Sequence, residues 1–570
     1  MVDKKEGQEA PPPVGLYSNF DIGVLLDKAE LTVNEEDLRK IIQRYELKSG
    51  LIAIGKASAA IFSSKKDANR IGRTAYRDPV SGAFVTQFAL AYLANILIAS
   101  RSNDYKYKKQ IADKQNLLAL CNIYSNGLIA PHKERDTGIP PTSDDILTLM
   151  VRMHTEQFET QYNPALLISR TIVIFTQVID EIRPTKFDEL SVVFERETGL
   201  NITEYFFLVM AVFACVQKKA TFRKENLTDA AIPSLKQVLT DKKVSAFINM
   251  LSTDYWSFRN LDEKMNANLS PEDTKNRFNP LQVYPIIKTD IERGEPYVVP
   301  NIMLALKKGF WGLYWWFHLH FESKNEHRAF RDYFGPVFEA YVGRILKGIY
   351  GESNVHPEIV YPGGKFIDWW VKGRFWKTYL FEVKAYQFPL LTKQTGEIEL
   401  LKKEVKTKVV GAIRQLYDRI SEINQYDELK VFRRRRLVPI IVFLEIPLVS
   451  SNLYKDLIEK ELDILEREGR RGIKNMKVYL MNIDELEIYQ GASKQISIDK
   501  VFKKYEKNSA EGFHSIVQKI TKTALRNAYL DSVYKDFWRK MSGTDIDAIE
   551  RDETEVNEDL SFIRGTRPNE

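Results

Sequence analysis

Two short apolar stretches, Phe366–Ile367–Asp368–Trp369–Trp370–Val371 and Tyr379–Leu380–Phe381–Glu382–Val383–Lys384–Ala385, decide how this 570-residue chain is read. Gly363–Gly364–Lys365 makes a turn into the first, and Lys372–Gly373–Arg374 is a tight connection to the second, which the pattern predicts as a strand from Trp376 through Ala385. Side chains alternate along a strand, so Glu382 and Lys384 share one face and Val383 takes the other. A hairpin of this kind sets Asp368 beside Glu382. A Glu-x-Lys in a strand is ordinarily surface charge. Here the surrounding residues would normally be buried, and a buried acid is costly unless it is paired or holds a metal. Asp368, between Ile367 and Trp369, poses the same problem across the hairpin.

Two adjacent carboxylates and a lysine suit phosphodiester hydrolysis. Close carboxylates bind Mg²⁺, a hard cation that prefers oxygen ligands and keeps several of its waters. Such a cation acidifies a water and stabilises charge developing on a phosphate. A lysine alongside orients the attacking water or adds positive charge at the phosphate.

The flanking sequence supplies the remaining parts of an α/β domain. His327 to Leu346 reads as helix, with Gly335–Pro336 as a break or fresh start, and Phe338, Tyr341, Val342 and Ile345 form an i, i+3, i+4, i+7 stripe. Glu339 lies beside that stripe, where its carboxylate could reach a sheet edge. Leu437–Leu444 and Met476–Asn482 read as further strands, and Ile483–Glu487 as a helix start, which together predict a mixed α/β sheet.

A helix with Phe338–Glu339, a strand with Ile367–Asp368, a strand with Glu382–Val383–Lys384 and a helix with Ala412–Ile413–Arg414–Gln415–Leu416–Tyr417 come in the order that resembles the PD-(D/E)XK nuclease superfamily. The resemblance covers roughly residues 326–490, and Ile367 stands where the name-giving proline would be. It implies a restriction-endonuclease-like fold in which Asp368 and Glu382 bind the metal, Val383 adds its carbonyl oxygen and Lys384 assists the water. It further implies Glu339 as an additional ligand or a holder of water, and Gln415 as a helix residue near the site. Mg²⁺ is the expected cofactor, with Mn²⁺ an acceptable substitute. DNA is the expected substrate and partner, and RNA stays open because the motif reads metal and phosphate rather than sugar. Lys365, Lys408, Arg414 and Arg419 are candidates for phosphate contact, and Arg433 to Arg436 form a four-arginine run that reads equally as a solvated loop.

The rest of the chain reads as scaffold. A 44% hydrophobic and 12% aromatic composition suits a globular protein, and its length calls for more than one core. A net charge of +6 from 83 basic and 77 acidic residues permits nucleic-acid binding without requiring it. Two cysteines, Cys121 and Cys215, support neither a disulfide framework nor a cysteine-rich zinc site. The apolar runs Phe206–Val216 and Trp311–Phe321 fall short of the ~20 residues a membrane span needs, so a soluble, cytoplasmic protein is expected.

The expected layout is multidomain: a flexible N-terminus (1–19), a helical domain (20–290), an aromatic-rich connection (291–325), the nuclease domain (326–542) and an acidic flexible tail (543–570). Within the helical part, Phe88–Ala99, a segment from Asp144 and an Asn201-capped run are predicted helices, while Lys218–Asp229 and Asn260–Asn276 are predicted loops. Pro280–Pro285 and Tyr297–Pro300 read as extended, and Tyr255–Trp256, Phe206–Phe207 and the Trp-rich run as core. His318, His320 and His356 are read as structural.

The functional expectation is a DNA endonuclease in bacterial restriction or phage defence, with the helical part meeting a target, a protein partner or a second copy. The alternative is a nucleic-acid-binding or sensor subunit that does not cut and works with a separate effector.

Overall fold

The chain builds its largest sheet around Lys377–Lys384, a strand whose Thr378, Leu380, Phe381 and Glu382 are all buried. The structure, a computed structural model, describes residues 42, 46–63, 75–77, 84–100, 164–267, 278–289, 296–387, 398–445, 452–507, 516–517, 520–521 and 527–545. The expected N-terminal segment 1–19, the helix from Asp144 and most of the acidic tail lie outside these residues. Helices dominate what is described, together with sheets that mix parallel and antiparallel strands.

The N-terminal part contributes α1 (Leu47–Ser63), α2 (Gln87–Ala99), α3 (Pro164–Val173) and α4 (Ile202–Lys219). The start of α4 is a capping box: the Glu204 amide donates to Asn201 Oδ1 (2.8 Å) and the Asn201 amide to Glu204 Oε2 (3.1 Å). Phe206, Phe207, Leu208 and Met210 then enter the core. Sheet structure also appears here, in which Tyr297–Val298 is extended as its sequence predicts and the other strands are not foreseen by the helical pattern. Thr221–Phe222, Tyr297–Val298, Ile286–Lys288 and Ser252–Thr253 form a small four-stranded sheet in that order. Thus Lys218–Asp229, expected as loop, holds a strand and a helical turn, and Pro280–Gln282 is a 3-10 turn instead of an extended piece. Asn260–Asn266 belongs to the helix Tyr255–Asn266, on which Trp256 is 70% exposed and so is not core. Two residues beyond an aspartate cap, that ring points away from the Phe258 side that packs.

Residues 291–325 hold helices α5 (Ile302–Phe310) and α6 (Gly312–Ser323). The tryptophan-rich run is core as expected: Tyr314 lies 4.7 Å from Phe334, and Phe321 stacks on Phe330 at 5.5 Å, ring centre to ring centre. Those partners belong to α7 (His327–Tyr350), which is continuous through Pro336 where a break was expected. An interior proline removes a helix hydrogen bond and strains the preceding turn, at a cost of about 3 kcal/mol. Packing offsets it, because Phe330 and Phe334 before the proline and Phe338, Tyr341 and Ile345 after it all enter one core.

A five-stranded sheet follows, made of β1 (Val355–Pro357), β2 (Trp369–Lys372), β3 (Lys377–Lys384), β4 (Arg436–Phe443) and β5 (Tyr479–Asn482), in the spatial order β5-β4-β3-β2-β1. The pairs β1–β2 and β2–β3 are antiparallel; β3–β4 and β4–β5 are parallel. Between β3 and β4 come α8 (Ile398–Glu404), a π-helical turn (Val405–Val410) and α9 (Gly411–Ser421); α10 (Asn452–Arg467), α11 (Ile483–Ala492) and α12 (Ala528–Ser542) complete this part. One sheet face buries Val371, Phe381, Val383 and Ile440 in the core shared with α7 and α11. The other buries Trp370, Leu380, Ile441 and Phe443 against Leu401, Val405, Val409 and Leu416.

Both central strands start later than their sequences predict. Phe366 and Ile367 are buried but irregular, and β2 begins at Trp369, directly after Asp368. Trp376, expected in β3, sits in the turn with Phe375, at φ 60° and 56° respectively. Two adjacent left-handed residues let the hairpin follow the strand twist.

The N-terminal and C-terminal parts share one core, in which Phe175, Phe207, Phe317, Phe338, Phe381 and Trp538 all belong. Arg170 of α3 fastens them: its guanidinium donates to both oxygens of the buried Glu487 on α11 (2.7 Å each) and pairs with Asp484. Tyr341 of α7 donates its hydroxyl to the same Glu487 (2.7 Å). Among the described residues no single helix is long and apolar enough to cross a membrane.

Removing one partner from a buried ion pair leaves an uncompensated charge at a cost of about 3–5 kcal/mol. Arg170→Ala is therefore expected to lower the thermal midpoint by several degrees, read by circular dichroism; an unchanged midpoint would show that this contact does not hold the two parts together.

Candidate active site

The hairpin register brings the expected pair, Asp368 and Glu382, level on neighbouring strands. Trp369 is level with Phe381, so Asp368 arrives beside the next two residues of β3, and Val383 N–H donates to Asp368 Oδ2 (2.7 Å). Val383 thus meets the site through its amide, whereas the resemblance assigned a role to its carbonyl. Glu382 is only 3% exposed. Its Oε1 accepts from Lys384 Nζ (2.7 Å), and the same Nζ donates to Gln415 Oε1 on α9 (2.9 Å). An ammonium has three N–H donors, so Lys384 keeps one for a further acceptor.

Glu339 comes from the opposite side, on α7. Its carbonyl accepts from Trp369 Nε1 (2.9 Å), which pins this helix to the start of β2. One turn further along, Gly343 leaves room for the Trp369 ring; a Cβ there would lie 2.1 Å from the ring's Cζ2. Glycine here serves close approach between helix and strand.

A third acid, Glu358, joins them. It lies between β1 and the small hairpin of Val360–Tyr361 with Gly364–Lys365, and it pairs with Lys365 Nζ (2.6 Å). Carboxylate oxygens of Glu339, Glu358 and Asp368 lie within 4.8 Å of one another. Sequence reasoning passed over Glu358 because it stands in an irregular stretch, where no strand or helix period predicts a direction. Its position two residues after His356, just before the glycine turn, is the only signal.

The site is short of positive charge. Burial, with Glu382 and Glu339 nearby, pushes the Asp368 carboxyl up to about 8, even though the Val383 amide and Lys384 favour its charged form. Burial and Glu358 push Glu339 up to about 7, against the pull of Lys365 and Lys384. Half-buried oxygen donors that repel one another in this way fit a divalent hard cation, which would remove the repulsion.

The candidate phosphate contacts divide. Lys365 is at the site through Glu358. Arg419 donates to Tyr361 Oη and Gly363 O (2.8 Å each), so it braces the glycine turn behind the site. Lys408 lies over the Tyr386 ring (5.0 Å), and Arg414 is exposed on α9; among the described residues neither contacts the carboxylates. His356 stacks on Trp370 at 4.1 Å, in keeping with a structural role.

Comparison with known protein families, with characterised proteins and with solved structures finds no match to this chain.

Two outcomes follow from this geometry. Gly343→Val forces a side chain into the Trp369 ring and is expected to cost about 1–3 kcal/mol by overpacking, measured by urea denaturation. An undiminished midpoint would mean that helix and strand can separate freely. For Asp368 the folded state keeps a proton that the unfolded chain releases above about pH 4, so without metal this group costs stability as pH rises toward 8. In EDTA, the melting temperature of Asp368→Asn relative to wild type should climb between about pH 5 and pH 8.5. A constant difference would rule out that titration.

Proposed function

We propose that this protein is a metal-dependent nuclease that hydrolyses phosphodiester bonds in DNA, with its site at the start of β2 and the end of β3. The observation that carries the reading is the joint placement of Asp368, Glu382 and Lys384, with Glu339, Glu358 and Gln415 converging on them from three other segments. The element order supports it too: a helix, three antiparallel strands, a helical crossover and a parallel strand are what a restriction-endonuclease-like domain requires. On this reading residues 326–542 form the catalytic domain, the helical part recognises a target or partner, and the setting is restriction or phage defence, by analogy alone.

Asp368, Glu339 and Glu358 would hold the cation, while Glu382, expected from the resemblance as a ligand, is paired with Lys384 and stands outside that group of three. A bound Mg²⁺ would supply Lewis acidity toward the phosphate and acidify a water. The chain's own work is positional. Gln415 and Glu382 fix Lys384 Nζ from two sides, which aims its remaining N–H toward an attacking water or a phosphate oxygen. Trp369 holds Glu339 at the site, and Arg419 holds the glycine turn that carries Lys365.

The test is cleavage of plasmid and linear DNA by purified protein with Mg²⁺, with Mn²⁺ and with EDTA. Cutting should require the metal and fall by about 10²–10⁴-fold in Lys384→Ala, the scale of losing a positioned proton-handling or charge-stabilising group. Glu358→Gln should raise the Mg²⁺ concentration needed for cutting without unfolding the chain. Cutting that survives in Lys384→Ala would put the chemistry elsewhere, and a wild type that never cuts would favour a binding or sensor subunit.

A further inference from the structure

At the far end of the same hairpin, away from the carboxylates, the chain exposes two large aromatic rings. Phe375 is 89% exposed and Trp376 74%. Both occupy the left-handed region, at φ 56° and 60°, in a turn closed by Lys377 N–H to Arg374 O (3.3 Å) and Gly373 N–H to Lys377 O (3.0 Å). Asn-Gly is the pair that such a turn favours. Two bulky side chains there cost conformational energy and remove no apolar surface from water, so packing within this chain does not account for them.

Their neighbours are cationic. Arg436 N–H donates to Trp376 O (3.0 Å), which brings the arginine run alongside the turn. Arg433 is committed to Asp427 and to the carbonyls of Tyr426 and Ile423, and Lys377 to Asp499. Arg374, Arg434 and Arg435 have no carboxylate partner among the described residues, and Arg434 is itself at φ 64°. Exposed rings interleaved with unpaired guanidinium groups match single-stranded nucleic acid: the rings stack unpaired bases while the arginines meet phosphates.

We infer that the tip formed by Arg374, Phe375, Trp376, Arg434 and Arg435 is a second DNA contact, which binds an unpaired segment of the strand. The choice of ligand rests on the nuclease reading; the cationic and aromatic surface does not. Glu382 is six residues on from Trp376, roughly 20 Å along the strand at ~3.3 Å per residue. The tip therefore grips DNA away from the bond to be cut and leaves the chemistry to the other end of the strand.

The test is fluorescence anisotropy with a labelled single-stranded DNA 20-mer in EDTA, using the full chain, beside cleavage assays in Mg²⁺. Phe375→Asn with Trp376→Gly installs the favoured turn pair, so the fold should hold or gain stability while strand affinity falls roughly tenfold or more, the scale of losing stacked bases. Arg434→Ala with Arg435→Ala should lower the slope of log affinity against log salt by about 0.7 for each phosphate the tip no longer neutralises. Unchanged strand affinity in the turn variant overturns the proposal. So does a change in self-association, read by sedimentation, at constant DNA affinity, because the tip would then be a protein contact. A wild type that binds the strand through the tip but never cuts leaves this inference standing and sinks the nuclease. A wild type that cuts, with a turn variant that binds normally, does the reverse; a wild type that cuts in Mg²⁺ but does not bind the strand likewise removes this inference alone.

Discussion

A carboxylate buried in the middle of an apolar sheet must have a cation within reach, and Glu382 imposes that constraint on everything around it. Its 3% exposure denies it water, so the strand has to return a lysine to the same face two residues later. Lys384 in turn needs an acceptor on the helix side, and α9 delivers Gln415. Asp368, brought level by the antiparallel register, has one backbone donor among the described residues and burial that resists its charge. Pairing within the chain is thus enough for Glu382 and incomplete for its neighbours. The deficit falls on Asp368 and Glu339, where a ligand's positive charge would be worth most.

That constraint is also why so much of the site could be read before any fold was known. Asp368, Glu382 and Lys384 announce themselves because they interrupt runs of Phe, Trp, Leu and Val that have no other reason to be polar. Strand alternation then places two of them on one face, and the hairpin brings the third. Gln415 and Glu339 needed the resemblance, since a helix period alone does not say which sheet strand a polar residue meets. Glu358 was invisible because irregular backbone has no period. The same limit explains the late strand starts: Phe366, Ile367 and Trp376 are apolar enough for a strand, but a glycine turn and a left-handed turn claim the backbone first. Pro336 fails as a helix breaker for the converse reason, because the long-range packing of Phe334 and Phe338 outweighs a local preference.

The helical part and the sheet-bearing part are not joined like beads. Arg170 reaches across from α3 to Glu487, and Tyr341 reaches the same carboxylate from α7, the helix that also carries Glu339. A movement of α3 would be felt on α7 through the three hydrogen bonds that Arg170 and Tyr341 make to one buried group. From α7 the Trp369 indole and the Gly343 notch pass position on to the start of β2. The residues nearest the carboxylates are therefore braced by a route that begins in the other half of the chain.

The π-helical turn at Val405–Val410, where Gly411 N–H reaches back five residues to Lys406 O, bears on how this chain tolerates insertion and deletion. Such a turn is an α-helix with one residue too many, and each residue advances the helix by about 100°. Cutting one residue from Val405–Val410 would leave a smoother helix with better hydrogen bonds. It would also rotate Gln415 about a quarter of a turn away from Lys384 or drag Leu416 away from Leu380 and Ile441. The wide turn works as a phase adjuster between two fixed partners, so the length of this connection is less free than the exposed Lys406, Thr407 and Lys408 suggest.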